Sequence, residues 1–215
     1  MNDQVKKGGC GSCLGKGCLF IIFIVVVIGV LGFFGYHRIT EKARKYTAQS
    51  AKPVPVEKAT QEEYDALVKR MDAFKNAAPG SNEELTLSAH DLNTLIAFAP
   101  DWRILRGKIQ IAIDNGNTEL IGSIPLAFIP ELRDRYLEGS LYFIPSMDNK
   151  VLHISLQNIK LNGHELSKDY LKAAAGSLES QMANRLLGDP VIGPVLIKAE
   201  TLKVGDGALV LTPAK

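Results

Sequence analysis

The chain opens on a block rather than a period. Gly17 to Tyr36, GCLFIIFIVVVIGVLGFFGY, is twenty residues without a charge, bounded by Lys16 and His37. As a helix rising about 1.5 Å per residue it covers about 30 Å, one hydrocarbon thickness, and predicts a transmembrane helix. A cleaved signal peptide has a shorter apolar core with a small-residue site close behind it. Here Tyr36-His37-Arg38-Ile39 follows, and the nearest such site, Ala48-Gln49-Ser50, lies a dozen residues on, so a retained signal anchor is expected.

Beyond the span the pattern becomes periodic. Arg38 to Ala51 is polar and helix-compatible, and Pro53-Val54-Pro55-Val56 imposes extended backbone, which makes 37–59 a juxtamembrane helix and linker. Thr60-Gln61-Glu62-Glu63 has capping-box form, and Tyr64, Leu67, Val68, Met71 and Phe74 recur at helical spacing until Pro79-Gly80. Glu84 to Leu87 predicts a short strand, and Ser88 caps a second helix with Leu92, Leu95 and Ile96 on one face. From Trp102 the period falls to two. Ile109, Ile111 and Ile113 alternate with polar or small residues, Asp114-Asn115-Gly116-Asn117 supplies a hairpin turn, and Thr118 to Phe128 returns. Tyr136 to Ile144 predicts a third strand of this ladder, Ser146 to Asn149 its turn, and Val151 to Leu161 a fourth, ended by Asn162-Gly163. Ser167 caps a long helix stopped by Gly188-Asp189-Pro190, and two strands, Val195 to Val204 and Ala208 to Thr212, close the chain. The expected body, 60–215, is one α+β domain of about six mainly antiparallel strands and about three helices.

Two stretches exceed what a one-sided sheet needs. Leu120 to Ile129 and Leu141 to Ile144 are apolar on both strand faces, so both faces must be covered. Helices cover one. The other packs as ordinary core or lines an apolar groove able to hold an acyl chain, for which Leu120, Ile121, Ile124, Leu126, Phe128, Leu141 and Phe143 are the candidate residues. Strict alternation puts Ile121 and Ile124 on opposite faces.

Charge separates leader from body. Residues 1–59 hold nine Lys/Arg against three Asp/Glu, leaving sixteen against twenty in 60–215, so the two parts carry +6 and −4. The basic balance belongs to the leader, which removes the usual footprint of a nucleic-acid binder from the body. Positive charges flank the apolar span almost evenly, but a span near the start with the whole folded body downstream has the layout of a signal anchor. The expected topology is single-pass, with the amino terminus cytoplasmic and the body extracytoplasmic, beside a lipid bilayer. All three cysteines lie in or beside the leader. Cys10, Cys13 and Cys18 have C-x2-C-x4-C spacing, which is short of a four-ligand zinc site; acylation or a plain, easily inserted Gly-rich leader over 1–16 are the other readings.

Catalytic motifs are not evident. His37, His90, His153 and His164 stand in no metal spacing, and His164-Glu165 is followed by Lys168 where H-E-x-x-H needs its second histidine. There is no G-x-S-x-G elbow and no phosphate loop, so the expected protein is not an enzyme and takes no cofactor.

Glu84-Leu85-Thr86-Leu87-Ser88-Ala89-His90-Asp91-Leu92-Asn93-Thr94-Leu95-Ile96 resembles the "LTxxDLNxLI" strand-then-helix phrase of small membrane-anchored bacterial proteins of the YpmS-like type. Ile197 to Leu211, with its Gly205-Asp206-Gly207 turn, is similar to the closing hairpin of LmeA-like bacterial lipid-binding proteins. The resemblance covers about 84–212 and implies a half-size tubular lipid-binding (TULIP-like) domain, a long curved sheet wrapped against a helix with an apolar groove. It carries over no catalytic residue. Two function classes follow: a non-catalytic domain that binds lipid or another amphiphile, and a cell-envelope assembly or protein-interaction module without a small ligand. A continuous cavity discriminates between them.

Overall fold

The computed structural model describes residues 45–78 and 80–214. They form an α+β structure whose eight strands make one antiparallel sheet, with four helices. The strands are β1 (Leu85–Ser88), β2 (Ile109–Asp114), β3 (Asn117–Pro125), β4 (Tyr136–Asp148), β5 (Val151–Leu161), β6 (His164–Glu165), β7 (Ala199–Val204) and β8 (Ala208–Pro213). The helices are α1 (Gln61–Asn76), α2 (Ala89–Phe98), α3 (Lys168–Leu187) and α4 (Gly193–Lys198).

The leader, its three cysteines and the apolar span at 17–36 lie outside the described residues. Among the described residues no helix is long and apolar enough to cross a membrane. The expectation of a single-pass, signal-anchored membrane protein is corrected accordingly: among the described residues no spanning helix supports it.

Strand β4 organises the sheet. Along one edge it pairs with β5 from Gly139 to Asp148. Along the other it pairs first with β3, from Tyr136 to Phe143, and then with β7 at Met147. The order β1-β8-β7-β4-β3-β2 therefore carries β5 and β6 as a branch. The sequence places a turn at Ser146–Asn149, but β4 continues through Pro145 to Asp148. Pro145 has no amide hydrogen, and it falls between Phe143, where β3 ends, and Met147, where β7 begins. The turn is instead Asn149-Lys150, both with positive φ (50° and 65°), matching the Asn115-Gly116 turn (47° and 73°) of the β2–β3 hairpin.

Alternation assigns the inner face. Leu137, Leu141, Phe143 and Met147 of β4 are buried, as are Leu152, Ile154 and Leu156 of β5. A bulge at Tyr142/Phe143 opposes Leu156 and Asn158, skipping Gln157, so the buried set of β5 changes parity to Ile159 and Leu161. Leu156 N–H at this irregularity donates to the Glu179 carboxylate of α3 at 2.8 Å. Gly139 sits where β4 and β5 approach closely: a Cβ there would lie 2.3 Å from the Lys160 carbonyl oxygen.

Helix α1 begins on the capping box expected at Thr60 and Glu63 and buries Leu67, Met71 and Phe74. Helix α2 begins on a second one, Ser88 and Asp91. Arg70 of α1 donates to Asp91 at 3.0 Å and to the Thr86 carbonyl, tying α1 to the β1–α2 junction. The strand expected from Val195 starts only at Ala199. The preceding residues form α4, because Pro194 suits a first helical turn and Ile192, Val195, Leu196 and Ala199 are buried at helical rather than alternating spacing.

Residues 45–57, expected as part of a linker, are packed on the body. Ala48 pairs with Tyr136 in an antiparallel bridge, with hydrogen bonds of 2.8 and 2.9 Å. Arg135 donates to the Thr47 hydroxyl at 2.5 Å and to its carbonyl. Asn162 Nδ2 donates to the Lys45 carbonyl at 3.0 Å, Lys52 N–H donates to Glu138 Oε1 at 2.5 Å, and Val54 is buried. Two prolines limit the unfolded freedom of this segment, which lowers the entropy lost on docking.

Candidate functional site

The inner face of the sheet and the helices enclose an apolar cavity of about 100 Å³. Its sheet wall comes from Thr118 and Leu120 of β3, Leu141, Phe143 and Pro145 of β4, and Leu152 of β5. Helices and the connecting turn contribute Leu92, Trp102, Met182, Leu186, Ile192 and Leu196. No polar atom is exposed in the wall. Thr118 brings one hydroxyl, buried without a hydrogen-bond partner, which is short of the two to four partners a buried water requires.

Of the residues singled out in the sequence, the structure brings Leu120, Leu141 and Phe143 to this wall. Ile124 is fully buried on the same face of β3, in the surrounding core. Leu126 is also core, but β3 ends at Pro125, so Leu126 points inward from a turn whose N–H donates to the Arg135 carbonyl. Phe128, expected in the same strand, is 48% exposed beyond it. Ile121 lies on the outer face, where Pro53, Val54 and Pro55 lie against the sheet. The two apolar faces of β3 are thus explained separately. One packs on the helices and walls the cavity, and the other is covered by the 52–55 segment.

Trp102 and the α3–α4 turn were not among the expected groove residues. Trp102 Nε1–H donates to buried Asp189 at 2.9 Å, and the same carboxylate accepts from the N–H groups of Val191 and Ile192 at 2.9 and 3.0 Å. Asp189 therefore positions one wall of the cavity. Sequence reasoning sees Gly188-Asp189-Pro190 only as a helix stop, since the partner is 87 residues away.

Helix α3 covers the cavity with little burial of its own. Only Leu178, Met182 and Ala183 of its twenty residues are buried, and the half before Leu178 contributes none. Tyr170, Leu171 and Ala174 pack partly buried against the core.

Apart from Asp189 behind the Trp102 wall, whose carboxylate accepts from three N–H groups, the titratable groups lie outside the cavity lining. His90 faces Glu57 at 3.2 Å and Glu63 at 3.7 Å on the surface. Hydrogen bonding to the Thr60 backbone amide, as part of the capping box, holds the Glu63 carboxyl below its usual range. The Tyr142 hydroxyl is raised chiefly by its hydrogen bond to Glu119, with burial adding to it. Among the described residues no group of three or more His, Cys, Asp or Glu side chains could hold a metal ion. The side chains that line the cavity offer apolar contact, with the Thr118 hydroxyl and the Trp102 indole N–H turned away from it.

No family model, curated protein or solved structure matches the chain.

Proposed function

We propose that the domain binds an amphiphile non-catalytically, taking its hydrocarbon part into the cavity between the sheet and α2, α3 and α4. The observation that carries this reading is a wall with no exposed polar atom around about 100 Å³. Core voids cost roughly 24 cal/mol per Å³, so leaving this one unfilled forgoes about 2 kcal/mol that a hydrocarbon guest regains. The volume is about two-thirds of the roughly 150 Å³ apolar cavity that accepts a benzene. It therefore takes the end of one acyl chain, and a longer chain enters by displacing α3, the helix with the least buried surface for its length. A long antiparallel sheet against a helix also agrees with what the YpmS-like and LmeA-like resemblance implies.

The test is binding of a fluorescent fatty acid to the full chain, with Leu120→Trp as a variant that fills the cavity. Saturable binding by the wild type and a loss of at least tenfold in Leu120→Trp, with unchanged far-UV circular dichroism, is the expected result. Equal binding by both, or none by the wild type, removes the reading in favour of a protein-interaction module without a small ligand.

A further inference from the structure

We infer that the first half of α3, Lys168 to Ser177, is a gate: it unwinds to pass a hydrocarbon chain into and out of the cavity while the second half stays in place. The gate rests on the cavity being the site of an amphiphile, and it names the moving part.

The two halves of α3 are held differently. The second buries Leu178, Met182 and Ala183, puts Met182 and Leu186 in the cavity wall, and is tied to β5 where the Glu179 carboxylate accepts from the Leu156 N–H at 2.8 Å. The first half buries none of its residues, whereas α2, a helix of 10 residues, buries Leu92 through Ala97. Tyr170, Leu171 and Ala174 reach the core only partly buried. Most helical stability in a protein comes from packing one face, so local opening is drawn from segments of this kind.

The start of the helix is also weakly fastened. Helices α1 and α2 each begin on a capping box, but Ser167 makes no side-chain cap hydrogen bond to α3. The chain is held one residue earlier, where buried Leu166 donates its N–H to the Ile159 carbonyl at 2.8 Å. The first half therefore spans between two fixed points on β5, at Ile159 and Leu156, and unwinds without releasing either.

Gly176 sits at the boundary between the halves. Glycine has the most backbone freedom to lose, so in a helix interior only proline is less favourable. Packing does not call for it here, since a Cβ at Gly176 would meet no atom within 4 Å. Beyond the boundary, Leu178 and then Met182 lead along the helix to the cavity, and buried Leu156 and Ile154 lead along β5 to Leu152 in its wall. Unwinding the first half opens this apolar path to solvent.

The experiment combines amide hydrogen exchange with stopped-flow binding and release of a fluorescent fatty acid, on the full chain and on Gly176→Ala. In the wild type, the helical amides of 172–175 should exchange about tenfold or more faster than those of 182–187, after correction for intrinsic rates. Gly176→Ala should slow 172–175 about fivefold and leave 182–187 unchanged. Association and dissociation of the fatty acid should both slow about fivefold, with the Kd kept within about twofold, because the open state lies on the path and is not the bound state. A glycine with a merely structural role would leave these rates alone. The gate is overturned if 172–175 are protected as strongly as 182–187, or if the wild type and Gly176→Ala bind and release the fatty acid at the same rates. Absence of binding by the wild type is a different failure: it removes the cavity as an amphiphile site, and the gate with it, whatever the exchange rates.

Discussion

Asn93 is a polar residue buried on α2, and both ends of its amide are hydrogen-bonded. Nδ2 donates to the Ile111 carbonyl at 2.7 Å, and Oδ1 accepts from the Ile111 N–H at 2.8 Å. Ile111 is on β2, the last strand of the main path of the sheet, so the side chain stands in for a neighbouring strand and closes an edge that would otherwise offer unpaired groups. Asn93→Leu keeps the branched shape and removes both hydrogen bonds. It should cost about 2–3 kcal/mol in chemical denaturation, because two backbone groups near the core lose their partner. A change below about 0.5 kcal/mol would mean that water reaches Ile111 and the amide is dispensable. Asn93 belongs to the Asp91-Leu92-Asn93 stretch that suggested a family resemblance, and in the structure its work is to hold the fold.

At the scale of elements, the start of α2 joins capping to tertiary structure. Burial pushes the Asp91 carboxyl up, but the Ser88 backbone and hydroxyl and the Arg70 guanidinium outweigh it, holding the group below its usual range. A folded pKa below the unfolded value, near 3.9, means stabilisation that is complete above that value and is lost as the pH falls through the folded one. Asp91→Asn should therefore be about 1 kcal/mol less stable than the wild type at pH 7, with the two curves converging as the pH falls through the lowered folded pKa. Urea denaturation from pH 2 to 7 checks this, and a gap independent of pH would show that the capping geometry, not the charge, matters.

For the whole molecule, the decisive feature is where the folded unit begins. The Pro53–Val56 stretch reads as a linker, yet hydrogen bonds that Lys45 and Thr47 accept, that Lys52 donates and that Ala48 both donates and accepts, together with buried Val54, make the segment part of the body. A chain starting at Lys58 should be about 3–5 kcal/mol less stable than one starting at Lys45, at roughly 1 kcal/mol per hydrogen bond plus the burial of Val54. Equal unfolding midpoints for the two truncations would place the segment outside the cooperative unit.

What the chain determined by itself is local. Thr60 with Glu63, Ser88 with Asp91, and Asn115-Gly116 carry their geometry in neighbouring residues, so two helix starts and a hairpin turn were legible, as was the whole of β5 from its alternation. Ile121 and Ile124 fell on opposite faces for the same reason, a period of two. Elsewhere the local signal met a competing one. Val195 to Lys198 has strand composition, but burial against the other helices selects a helical turn, and Pro145 looks like a strand end until the gap between β3 and β7 makes room for it. The candidate site was legible only in part: Leu120, Leu141 and Phe143 reached the cavity, whereas Trp102, Asp189 and Met182 joined them through contacts far apart in sequence. Apolar runs state that both faces of a strand must be covered. Which cover is a helix above a cavity, and which is a proline-braced segment, is decided by long-range packing, because only the folded chain brings residues 52–55 to one face of β3 and α3 to the other.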